Sequence, residues 1–467
     1  MDMENKIYIL LLLFIFCSQL IAQESILDNY VKTGLENNLA LQQKKDSYEK
    51  SLYALREARG MFLPTLSLNA RYTVADGGRL IEFPVGDMLN PVYSNLNALN
   101  DMVYAELPPE LQPADFPLID NQSFAFYRPK EHETKVQMVM PLFNSQIYYN
   151  NKIKKDLVNI EKADAATYER YLVAEIKTAY FNYLKTVRVL ELLDDTYILL
   201  EENIRVNEKL FENDMVTSDV VYRSKTELSK LQQQHAEAEK YNKSAQAWFN
   251  FLLNRNADAD IEIDRKPDIL VEERTYEDAE VSAVQNREEL DMADHYITLT
   301  NDNMALSWSN RMPYLILAVD YGFQGEKYSF TSDDDFVFAS LVLRWDLFKG
   351  LQNSNKYQQA LIDKNIAETR RTEIESQVRL QVINAWYDLQ ASEKAVIAST
   401  HQAESAEKAF KVINRKYKEG QVSLLEYIDA RTTMTNAKQN MIITKYDYYS
   451  KCAELEKVAA LYDIKSY

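Results

Sequence analysis

The stretch RKYKEGQVSLLEYIDARTTMTNAKQ, residues 415–439, decides how the chain is read. Gly420 in it is the only glycine after Gly350, and no proline follows Pro313. Glycine and proline are the strongest interrupters of helix, so residues 351–467 should be two long helices with one reversal between them. Glycine adopts the left-handed backbone after a helix at little cost. Ser423 and Glu426 then have the S-x-x-E spacing of a capping box for the returning helix.

Working outward, residues 142–266 contain neither glycine nor proline and should also be helical. A helix of about 65 residues would be roughly 100 Å long, which suggests coiled-coil packing. The series Val378, Val382, Ala385, Leu389, Ser392, Val396, Ser399, Ala403, Ala406, Phe410, Ile413, Tyr417 alternates steps of four and three. Leu172, Ile176, Ala179, Tyr183, Thr186, Leu190, Leu193, Tyr197, Leu200, Ile204, Asn207, Phe211 does the same. That alternation is the heptad seam of left-handed helix packing. The two series are offset by 206 residues throughout, so the chain reads as an internal duplication. The matching turn of the first copy has Asp214 at the position of Gly420, with Thr217 or Ser218 to cap the next helix.

Each copy also carries a strand pair. LSLNARYTVA (66–75) alternates apolar and polar residues and is partnered by residues 133–141; LILAVDYGFQ (315–324) is partnered by residues 336–345. Their length and alternation suit a transmembrane barrel strand, and equally a soluble half-buried hairpin. Residues 76–130 hold seven prolines and read as an elaborated loop. The expected division is a signal peptide at 1–22, a first repeat at 23–262 with long helices 145–212 and 217–254, and a second repeat at 263–467 with helices 276–310, 351–418 and 423–462. IYILLLLFIFCSQLIA after MDMENK carries the export signal, with cleavage after Ala22 and lipidation of Cys17 as the lesser alternative. The export signal and the lack of apolar helical spans favour membrane strands.

Net charge is −18 at pH 7, which argues against nucleic acid. Four scattered histidines and, after cleavage, the single Cys452 supply neither a metal cluster nor a disulfide. No cofactor motif and no nucleophile–base pair is present, so an enzyme is not expected. Four strands cannot close a barrel, and open edges in hydrocarbon cost several kcal/mol per unpaired group. Three copies would give about twelve strands around a lumen. The fold class expected is therefore mainly α with a transmembrane β part, a trimeric α-barrel and β-barrel with four strands per protomer.

Over nearly the whole mature chain the sequence resembles the TolC family of outer-membrane efflux ducts. The resemblance is carried by residues 35–70, by their counterpart 285–318, and most specifically by YKEGQVSLLEYIDARTTMTNAKQ (417–439). It implies a homotrimer in the outer membrane of a Gram-negative bacterium, with its helical part in the periplasm. It implies a passive exit duct for tripartite efflux or type I secretion. An adaptor would open its helical tip and link it to an inner-membrane transporter of the RND, ABC or MFS type. By the same resemblance, Glu426 and Asp429 ring the narrowest point of the closed duct, and Tyr417 helps hold the tip shut. Adaptor docking falls on the tip turns: Asp214, Met215, Val216, Thr217, Ser218 and Asp219, and Gly420, Gln421, Val422 and Ser423. Two departures stand out. Val422 replaces a basic residue of the best-known members and Val220 an acidic one, with Asp219 one place away. Two acids on an acidic protein also fit a merely solvated face. The alternative for the whole chain is a soluble periplasmic coiled-coil scaffold.

Overall fold

The computed structural model describes residues 25–264 and 275–462. The leader at 1–22 lies outside the described residues. The chain forms two compact units, and each draws on both repeats. One gathers residues 25–56, 151–264, 275–307 and 355–462; the other is Glu57–Asn150 with Trp308–Ser354.

The first unit is helical. Its long helices are α4 (Ser145–Glu212), α5 (Ser218–Leu252), α8 (Gln352–Lys418) and α9 (Leu424–Val458). Shorter helices are α1 (Ile26–Asn37), α2 (Leu39–Gly60), α6 (Tyr276–Asn286) and α7 (Glu288–Ser309). No seam position of α8 is exposed, and in α4 only Phe211 at the helix end is. Much of the core is built on that seam: Leu172, Ile176, Ala179 and Tyr183 of α4 pack with Val31, Phe249 and Leu253. The duplication reappears in the turns. Asp214 and Gly420 both have left-handed φ, at 55° and 73°, as do Asn254 and Ala460, at 53° and 50°. Both pairs are 206 residues apart, and each of the four closes its helix by the paired hydrogen bonds of a Schellman cap, as Gly420 N to Tyr417 O and Gln421 N to Lys416 O do.

Residues 276–310 are not one helix. The backbone breaks at Arg287, whose ψ is 124°. Its guanidinium is held bidentately by Glu289, at 2.8 and 2.6 Å, and also donates to the Val458 carbonyl at the end of α9. Burying a guanidinium requires such partners, and breaking the helix there brings them together.

The second unit holds a four-stranded antiparallel sheet in the order β1-β4-β5-β6, formed by β1 (Thr65–Val74), β4 (Lys130–Phe143), β5 (Tyr314–Gly325) and β6 (Asp335–Arg344). The hairpins of the two repeats join through β4 and β5, with Met138 opposite Val319 and Met140 opposite Leu317. One face carries Leu66, Leu68, Tyr72, Val74, Val337, Leu341 and Leu343, all exposed. The other carries an ionic ladder: Arg71 to Glu133, Glu133 to Lys135 and Lys135 to Asp320, each at 2.9 Å. β1 and β6 each pair on one side only among the described residues.

The 76–130 segment is more than a loop. It contains β2 (Leu80–Phe83) paired with β3 (Gln122–Ala125), and a 20-residue helix, α3 (Val85–Tyr104), with Pro91 inside it. The prolines flag irregular chain, but tertiary clamps described below hold α3 in place.

Candidate functional site

The candidate site is the pair of turns joining α4 to α5 and α8 to α9. They share one apolar cluster: Phe410, Tyr417, Leu424, Tyr427 and Met434 form it, and Val220 and Val422 pack against it. The two valines that depart from the family pattern therefore contribute packing where charges would stand.

Ser423 and Glu426 form the capping box. Ser423 Oγ accepts from Glu426 N at 3.3 Å, and Glu426 Oε1 receives Ser423 N at 3.4 Å. Thr217 occupies the corresponding N-cap position of α5 but makes no bond to the helix backbone. Its hydroxyl donates instead to the Asp219 carboxylate, a stronger acceptor two residues away. Neither Thr217 nor Ser218 thus caps α5 through its side chain. Met215 is exposed, Val216 half-buried, and Ser218, Asp219, Gln421 and Ser423 are exposed. Glu426 and Asp429 both lie exposed on the first turns of α9, with Glu426 engaged in the cap.

No atom lies within 4 Å of the position a Cβ on Gly420 would take. Gly420→Ala should therefore cost only the left-handed strain, about 1 kcal/mol, and Asp214→Gly should recover up to about 1 kcal/mol. Amide hydrogen exchange across the two turns measures both; equal protection in all three proteins would refute the assignment.

Tyr417 is buried, and its hydroxyl donates to Asn207 Oδ1 at 2.6 Å, tying α8 to α4 across the repeats. Asn207 is fully buried; its Nδ2 donates to Ser224 Oγ at 2.7 Å and to Asn203 Oδ1 at 3.2 Å. Burial raises the Tyr417 phenol and pushes that of Tyr427 up to about 12, so both stay protonated. One layer on, Arg431 donates to Glu227 at 2.7 Å with both side chains largely buried. Burial pushes the Glu227 carboxyl up, but Lys230 and Arg431 outweigh it and leave it below its ordinary value.

Sequence reasoning singled out Tyr417 and missed its partners. The available signal was Asn207, a polar residue inside an apolar seam, of the kind that fixes register in coiled coils. Arg431 gave no comparable signal. Among the described residues no group of His, Cys, Asp or Glu side chains is arranged to hold a metal ion, and no helix is long and apolar enough to cross a membrane.

Residues 281–460 match the family model of the outer membrane efflux proteins. The fold is that of solved outer-membrane channels. CmeC of Campylobacter jejuni superposes with a TM-score of 0.72 at 13% identity, covering 95% of this chain and 88% of that one. VceC of Vibrio cholerae gives 0.72 at 13%, covering 93% and 95%. MtrE of Neisseria gonorrhoeae, solved in its open state, gives 0.71 at 15%, covering 93% and 88%. No curated protein matches by sequence.

Proposed function

From a second repeat that matches the outer membrane efflux proteins, on a chain with the TolC-type fold, we infer that this protein is one protomer of a trimeric exit duct. The duct passes cargo from periplasm to exterior for a tripartite efflux or secretion machine and performs no chemistry. The observation that carries this is the sheet. It has an apolar exposed face, an ionic opposite face and two open margins, β1 and β6. In hydrocarbon each unpaired backbone group costs several kcal/mol, which only pairing with further copies removes. Three copies give about twelve strands, apolar outward and polar inward.

The tip residues 214–219 and 420–423, all exposed but the half-buried Val216 and Val422, receive the adaptor's helices, and the transporter sits beyond. Asp429, with Glu426 once its cap is released, lines the constriction, where threefold repetition opposes tight closure and favours cations. Tyr417 and Asn207 hold the resting tip within one protomer.

Fractionation tests the architecture: the protein should need detergent and run as a heat-labile trimer. A buffer-soluble monomer would point instead to a periplasmic scaffold. Deleting residues 417–423 should abolish drug efflux while leaving the trimer intact. Normal efflux by that variant would remove the docking role of the tips.

A further inference from the structure

The segment between β1 and β4 carries an unpartnered heptad seam. Val85, Leu89, Val92, Leu96, Leu99 and Val103 follow one another along α3 in steps of four and three. All but Val85 are exposed, as are Met88 and Met102 beside them.

The polar side of α3 binds its own chain. Asn90 exchanges two hydrogen bonds with the backbone of Ile119, both 2.9 Å, and Asn97 two with Phe116, at 2.9 and 2.8 Å. Asn121 accepts from Asp87 N and donates to its carboxylate. Gly86 permits this contact, since a Cβ there would stand 2.4 Å from the Ile119 carbonyl oxygen. An ordinary surface helix turns its apolar side to its own core; α3 is pinned the other way round.

We propose that this seam is occupied by the same seam of two further copies, forming a parallel three-helix coiled coil at the strand ends remote from α4 and α8. The proposal rests on the trimeric reading above. Four observations choose this occupant. The steps are those of a helix-to-helix seam. The flanking positions are uncharged, Met88, Asn95 and Met102 on one side and Gly86, Tyr93 and Asn100 on the other, whereas Asp87 and Asp101 lie farthest from the seam. Leucine at 89 and 96 with valine at 85 and 92 places β-branched residues where they disfavour a two-stranded coil over most of the seam, with only the last pair, Leu99 and Val103, in the reverse order. The segment also leaves the sheet from β1, a margin that must meet another copy, so the threefold operator that closes the sheet relates three α3 helices in the same sense, as a parallel coil requires. Residues 80–127 hold seven Asp and Glu and no Lys or Arg, which disfavours anionic lipid headgroups as the occupant.

Cysteine cross-linking tests this. Cys452 is buried and leaves the background low. Leu96→Cys in the full-length, detergent-solubilised protein should form a disulfide-linked dimer on mild oxidation and a covalent trimer with a three-armed maleimide. Ser94→Cys, on the outer side of α3, should do neither. Native mass is read on the same samples. A trimer in which Leu96→Cys links no better than Ser94→Cys overturns the coiled coil and leaves the duct standing. A monomeric native mass overturns both.

Discussion

Glu227→Ala should destabilise the helical tip by about 3–5 kcal/mol, the cost of leaving a buried charge without its partner. Arg431 is the charge in question. Its Nη2 donates to Glu227 at 2.7 Å, and its Nε is already buried without a partner. Removing the carboxylate strands the guanidinium in the layer next to Tyr427 and Met434. Truncating both residues to apolar side chains of similar size should recover most of the loss, because no charge then needs a partner. Glu227→Leu with Arg431→Met makes that comparison. Amide exchange over residues 424–437 is the readout: fast in the single variant, slow in the double. On the duct reading, resting conductance in a planar bilayer should rise in the same order. If the single and double variants exchange alike, the pair does not hold the tip.

Gly322→Val should prevent assembly altogether. Gly322 lies opposite Lys135 in the middle of the sheet. A Cβ there would stand 2.5 Å from the Lys135 Cβ and the Thr134 carbonyl oxygen, and 2.7 Å from the Lys135 Cα. Two of those atoms are backbone and cannot rotate away, so β4 and β5 must part, at about 3 kcal/mol or more. Parting them also pulls Lys135 on β4 from Asp320 on β5, leaving that carboxylate of the ladder without its partner. The expected outcome is loss of the heat-labile trimer from the membrane fraction. Gly60→Ala is the control, because nothing lies within 4 Å of its added carbon. A normal Gly322→Val trimer would mean that β4 and β5 do not pair in this register.

Local signals and long-range ones separate clearly in this chain. The absence of glycine and proline over 142–266, and the lone Gly420 over 351–467, located the long helices, because breakers act within a turn. Strand alternation worked for the same reason, since a residue's face depends on its neighbours in the strand. The seam of α3 is an equally local pattern, but the prolines around it mask the helix that carries it. Thr217 went astray through competition: its hydroxyl chose the Asp219 carboxylate over the helix amides. The break at Arg287 carried no glycine or proline, for its cause is the end of a helix 171 residues later in the chain.

The sequence by itself determined the four long helices, the four strands of the main sheet, their duplication and the reversal at Gly420, because periodicity and left-handed turns are properties of short stretches of chain. Only the tertiary structure decided that β4 joins β5, that Tyr417 meets Asn207, and that Arg431 meets Glu227. Those pairings link residues far apart in the chain, and what selects them is backbone pairing between strands and the need of buried polar side chains for hydrogen-bonding or ionic partners.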